Sequence, residues 1–175
     1  MKIIFWTDGA SRGNPGIGGW GVFAKVVHTD GKEKTFELSG GKPYTTNNRM
    51  ELTASIQALR FLDMVVLNKY FLDKKRYGPT LEIIVYTDSK YVKTGITEWM
   101  KNWEKNNWRS ANKKPVLNKD LWQHLNSLKE SINEKLTKDN FKEIQWEYVK
   151  GHAGIEGNEI ADRLATEAAD KLKDK

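Results

Sequence analysis

Apolar residues arrive along this chain in two rhythms, and the change of rhythm marks its elements. Ile3-Ile4-Phe5-Trp6 is a short apolar run that stops at Thr7-Asp8-Gly9 and passes into Ser11-Arg12-Gly13-Asn14-Pro15-Gly16. Such a run, bounded by glycine and proline, reads as a buried strand ending in a tight turn. Over residues 18–26 the period is two, with Trp20, Val22, Ala24 and Val26 on one face, which predicts a second strand. Thr29-Asp30-Gly31-Lys32 is hairpin sequence, and Phe36 and Leu38 alternate with polar neighbours over 35–39. A third antiparallel strand is therefore expected. After polar turn sequence over 40–48 the period becomes helical, with Met50, Ala54, Ala58, Phe61 and Leu62 on one face and Leu52, Ile56 and Leu59 on another. Asn48-Arg49-Met50-Glu51 has capping-box spacing, which puts Asn48 at the helix start and Glu51 in its first turn.

The second half repeats the opening. Ile83-Ile84-Val85-Tyr86 ends in Thr87-Asp88-Ser89, eighty residues after Thr7-Asp8-Gly9. Two such strands lying parallel bring both carboxylates out at one sheet edge, where open α/β sheets place their ligands. Like charges so placed are costly unless a cation lies between them, so the pair points to a metal site. A lone Asp here would more simply cap a helix or turn. Residues 64–80 extend or follow the first helix, with Asp73-Lys74-Lys75-Arg76 as a solvated face and Gly78-Pro79 as a stop. Residues 89–107 suit helix, and 119–136 carry the stripe Leu121, Leu125, Leu128, Ile132. Ile144, Trp146 and Tyr148 alternate in a fifth strand that runs into a glycine-rich loop around His152. A last helix carries Ile160, Leu164, Ala168 and Leu172, with Asp162 in its first turns, and residues 171–175 are expected to fray.

The 175 residues fit one domain, 1–175, with a real core and no need of staples. With 29 Lys+Arg against 23 Asp+Glu, the +6 balance favours a polyanionic partner. Six of the basic residues (Lys101, Lys105, Arg109, Lys113, Lys114, Lys119) fall in one short stretch with a single acid, Glu104, and with Trp103 and Trp108 among them. Cations neutralise phosphates and indoles offer flat surfaces, so residues 99–122 resemble a nucleic-acid-binding protrusion. Trp103 and Trp108, flanked by Asn and charges, are the expected exposed contacts, and Trp99 and Trp122 the expected core. With no cysteine, disulfides and thiolate metal sites are excluded. No stretch is long enough to cross a membrane, so a soluble, unprocessed cytoplasmic protein is expected.

Five motifs, in order and spread over nearly the whole chain, resemble type 1 ribonuclease H: Thr7-Asp8-Gly9-Ala10, Gly13-Asn14-Pro15-Gly16, Thr46-Asn47-Asn48-Arg49-Met50-Glu51-Leu52, Thr87-Asp88-Ser89, and Gly151-His152-Ala153-Gly154 through Gly157-Asn158-Glu159-Ile160-Ala161-Asp162. The resemblance implies an α/β ribonuclease H-like fold: a five-stranded mixed sheet, three strands antiparallel and two parallel, with helices on both faces and a basic helical protrusion. It implies an endonuclease that cuts the RNA strand of RNA/DNA hybrids, leaving 5′-phosphate and 3′-hydroxyl ends. Asp8, Glu51, Asp88 and Asp162 match the family's four metal-binding acids, and His152 its loop histidine. Two divalent ions about 4 Å apart suit such chemistry, and an all-carboxylate site suits Mg²⁺, with Mn²⁺ as the alternative. Asn14, Asn47 and Asn48 match positions that contact RNA sugars, where amides can donate and accept to 2′-hydroxyls. Thr46 and Asn118 resemble part of a pocket for a DNA phosphate. Trp103 is the expected aromatic on the DNA strand, and Asn158 a further substrate contact.

The chain departs from the family pattern in four places: Tyr44 stands where some members carry a basic pocket residue, Lys90 stands where Gln is frequent, the protrusion with Glu104, Asn106 and Asn107 looks less basic than in some members, and residues 68–77 look longer than usual. A monomer is expected, with no separate hybrid-binding domain ahead of Met1. Two other readings compete. A junction resolvase or integrase core would keep the acids without needing Asn47-Asn48 or the Trp-rich protrusion, and a non-catalytic hybrid-binding module would tolerate the loss of an acid.

Overall fold

The computed structural model describes residues 1–72 and 79–175. Five strands form one sheet in the order β3-β2-β1-β4-β5: β1 (Lys2–Gly13), β2 (Gly16–Val27), β3 (Glu33–Thr45), β4 (Glu82–Thr87) and β5 (Gln145–Tyr148). β1, β2 and β3 pair antiparallel, while β1–β4 and β4–β5 pair parallel. The expected mixed sheet is thus present, but its first three strands are longer than apolar patterning suggests. Residues 11–13 and 40–45, read as turn, belong to β1 and β3, because backbone pairing with β2 continues past the apolar stretch.

The helices are α1 (Asn47–Phe61), α2 (Asn68–Leu72), α3 (Lys90–Thr94), α4 (Met100–Lys105), α5 (Lys119–Lys138) and α6 (Glu156–Lys173). A π-type stretch, Leu62–Leu67, joins α1 to α2, and a second, Gly95–Trp99, joins α3 to α4. Ile3, Phe5, Val22 and Ala24 are fully buried on the sheet face that carries α1. Burying the Ile3, Phe5 and Val22 side chains contributes roughly 1.5–3 kcal/mol each. α6 covers the opposite face through Ala161, Ala165, Ala168 and Ala169, small residues that let it come very close. A Cβ on Gly19 would lie 2.1 Å from the Ala165 carbonyl oxygen, and one on Gly21 2.3 Å from that of Ala161. α6 stays helical to Lys173, beyond the point where fraying is expected, with Arg12 bidentate on Asp170 and Arg163 paired with Glu37 of β3.

The run Asp73-Lys74-Lys75-Arg76, and residues 73–77 of the lengthened segment, lie outside the described residues. Among the described residues, no helix is long and apolar enough to cross a membrane.

Candidate active site

Asp8 is not at the end of its strand. Pairing of β1 with β4 stops at Thr7↔Thr87, whereas pairing with β2 runs on to Gly13↔Gly16. Asp8 is the first residue beyond the parallel ladder, and Asp88 is its counterpart after β4, so both emerge where the two strands part. Glu51 joins them from α1 because Gly9 lets the helix press onto β1: a Cβ there would sit 2.3 Å from the Glu51 backbone nitrogen. Carboxylate oxygens of Asp8, Glu51 and Asp88 lie within 4.8 Å of one another. Asp162, from the early turns of α6, and His152, in a left-handed conformation (φ 55°) on the β5–α6 loop, complete an open polar cleft of about 380 Å³ that Asn47 and Ser89 also line.

The electrostatics follow from this crowding. Burial first, and the Asp88 charge second, push Asp8 up to about 8 from an ordinary 3.8. Glu51, only 4% exposed, is raised well above the usual range by burial and then by the charges of Asp8 and Asp88. Asp88 is raised by burial, an effect that a hydrogen bond from Asn158 opposes. One Glu51 oxygen, Oε2, is buried without a hydrogen-bond partner. Close carboxylates, a buried acceptor left unsatisfied and only oxygen donors are what a hard divalent cation needs, and the cluster fits divalent metal binding.

The remaining expected residues are distributed around the cleft. Asn14, at the β1–β2 turn, accepts from the Asn47 backbone N–H through Oδ1 at 3.0 Å. Thr46, not Asn48, caps α1: its Oγ1 accepts from the Arg49 N–H at 3.3 Å, and Asn48 is half-buried in the first turn. Asn158, expected on substrate, is 3% exposed and lies behind Asp88, because the first turn of α6 faces inward there. Asn118 heads α5 apart from the acids and is tied to Thr46 through Arg49, which donates to Asn118 Oδ1 at 3.3 Å and grips Asp120 with two bonds of 2.9 and 2.7 Å.

The tryptophans are arranged differently from the expectation. Trp122 is fully buried, but Trp99 is 37% exposed, whereas Trp103 and Trp108 are half-buried. Trp103 is held by Trp122 at 5.3 Å, Trp99 at 5.8 Å and Trp108 at 6.1 Å, a ring cluster that stiffens the protrusion. Sequence reasoning passes over Arg49, Tyr91 and Asp120, whose partners lie on other helices. The only available hint is opposite charge at Arg49 and Asp120.

A carboxylate-lined cleft at the point where parallel strands part, on a sheet of this order, defines the ribonuclease H-like class of nucleases. The comparisons agree. The RNase H family profile matches residues 1–170. The chain is 47% identical over 171 residues to the ribonuclease H of Ruthia magnifica subsp. Calyptogena magnifica, covering 98% of this chain and 97% of that one. It is 46% identical over 169 residues to that of Alkalilimnicola ehrlichii, covering 97% and 95%. Among solved structures it is similar to LC9-RNase H1, a type 1 RNase H with the type 2 active-site motif, at a TM-score of 0.73 and 27% identity, covering 98% and 73%. This chain belongs to the ribonuclease H family, and as such it is an endonuclease acting on the RNA strand of RNA/DNA hybrids.

Proposed function

We propose that Asp8, Glu51, Asp88 and Asp162 together hold two Mg²⁺ ions, with Mn²⁺ able to substitute, and that hydrolysis leaves 5′-phosphate and 3′-hydroxyl ends. The observation that carries this reading is the set of three carboxylates within 4.8 Å, one with an orphaned buried oxygen. Bound there, divalent ions supply activation of the attacking water and stabilisation of the leaving 3′ oxygen. The chain's own residues do the rest. Gly9 and the β1–β4 divergence hold the carboxylates where a backbone phosphate can reach them. His152, exposed on its loop, moves a proton at an imidazole nitrogen as the product departs.

Strand choice is read beside the acids. Because Asn14 Oδ1 is committed to Asn47, its Nδ2 is left to donate to an RNA 2′-hydroxyl, and the exposed Asn47 side chain does the same from the cleft wall. Asn48 supports that contact from the same turn. Thr46 and Asn118 take a phosphate of the DNA strand, and the exposed edge of Trp99, backed by Trp103, lies against the same strand. Asn158 acts through Asp88 rather than by touching substrate. We further read the protein as a cytoplasmic monomer, a reading that the cysteine-free sequence allows.

The test is cleavage of a labelled RNA/DNA hybrid beside duplex RNA, duplex DNA and a four-way junction, with Mg²⁺ and with chelator. Metal-dependent cutting of the hybrid's RNA strand alone is expected. Cutting of the junction would turn the reading toward a resolvase, and tight hybrid binding without cutting under any divalent ion would turn it toward a binding module.

A further inference from the structure

The residues behind Asn118 form a closed hydrogen-bonded set with a directional consequence. Asn118 stands in the left-handed region (φ 60°), which asparagine tolerates better than most residues. Its Oδ1 accepts from Arg49 at 3.3 Å, and its Nδ2 donates to the Tyr91 hydroxyl at 3.1 Å. Trp122 Nε1 donates to the same hydroxyl at 2.9 Å. A phenol oxygen has two acceptor sites, so both are filled, one by a fully buried indole that fixes where the hydroxyl sits. Asn118 is left with one free N–H. Arg49 holds the other donor of the pocket as well, since its backbone N–H is capped by Thr46 Oγ1, which leaves the threonine O–H to point outward.

We propose that Tyr91 is a positioning residue for hybrid binding: it fixes the Asn118 amide so that the free N–H, and not the carbonyl oxygen, faces a phosphate of the DNA strand. Without the hydroxyl only the 3.3 Å bond from Arg49 holds the amide, which can then tilt and draw its free N–H away from the phosphate. This inference rests on the reading of Thr46 and Asn118 as a DNA-phosphate pocket. The position of Tyr91 also links that pocket to the protrusion, because its ring meets Trp122 at 5.2 Å and Trp99 at 5.8 Å.

The test uses hybrids carrying one uncharged methylphosphonate at each DNA-strand position in turn, with affinity read by fluorescence anisotropy in chelator. The intact protein should lose about tenfold at one position, the scale of a charge-assisted hydrogen bond. Asn118→Ala should weaken binding to unmodified hybrid by about the same factor and erase that position's sensitivity. Tyr91→Phe should weaken it several-fold and erase the same sensitivity, while the double variant should bind no worse than Asn118→Ala. An unchanged profile in Tyr91→Phe overturns the positioning role, as does additive loss in the double variant. Because Tyr91→Phe leaves the Trp122 N–H unpaired, general destabilisation has its own signature: affinity falls at every position alike with the one sensitivity retained, and that result also overturns the proposal. A wild-type profile in Asn118→Ala overturns the pocket reading beneath it, and the inference falls with it.

Discussion

Asp8 stands near 8 because burial and Asp88 both oppose its charge, and this makes the metal-free protein sensitive to pH in a defined direction. Below an ordinary carboxylate value both the folded and unfolded chain hold the proton. Between 3.8 and about 8 the unfolded chain has lost it while the folded chain keeps it, so stability falls as pH rises through that window. In chelator, Asp8→Asn should therefore melt progressively higher than the parent as pH approaches 8, and divalent ion should raise the parent more than the variant; equal melting at every pH would contradict this. Asp88→Asn should abolish cleavage, by at least about three orders of magnitude, while sparing hybrid affinity, since it removes a ligand and not a contact surface. Retained activity would remove Asp88 from the metal site. At this scale the sequence was highly legible, because all four acids and His152 sit in motifs of fixed local order. The burial of Asn158 beside Asp88 has no local signal, because it depends on which side of α6 meets Asp88. Tyr91 and Arg49 were invisible for the same reason: their meaning lies in partners on other helices.

Among elements, α6 lies very close on β2, and it carries Asp162. Gly21→Ala should lower stability by about 2 kcal/mol or more, because its methyl would collide with the Ala161 carbonyl rather than with a side chain able to swing away. Thermal or urea unfolding would show it, and a loss under 0.5 kcal/mol would mean that the helix can move off the sheet. The ring cluster makes a second prediction. Trp99→Ala should weaken hybrid binding several-fold with little change in melting, whereas Trp103→Ala should lower melting too, since it sits among three other indoles. Equal melting of the two variants would remove Trp103 from the cluster. Element order and type were plain from period two and period 3.6, including the return to strand at residue 144. Lengths are not, because the extensions of β1 (Ser11-Arg12-Gly13) and β3 (Gly40-Gly41-Lys42-Pro43-Tyr44-Thr45) are mostly glycine and polar residues held by backbone pairing, which leaves no alternating apolar trace.

For the molecule as a whole, the +6 balance and the basic protrusion make hybrid binding a polyelectrolyte process. Raising salt from 50 to 200 mM should weaken binding by at least about tenfold, with a smaller slope after neutralising Lys113 and Lys114; a flat response would leave the charge without a role in binding. The four acids also have a consequence in time. They come from residues 8, 51, 88 and 162, on β1, on α1, in the turn after β4 and on α6, so no nascent chain that lacks α6 can hold the full set. On the proposed reading, the growing chain presents three of the acids before the fourth exists, and it becomes a nuclease only once the last helix has docked.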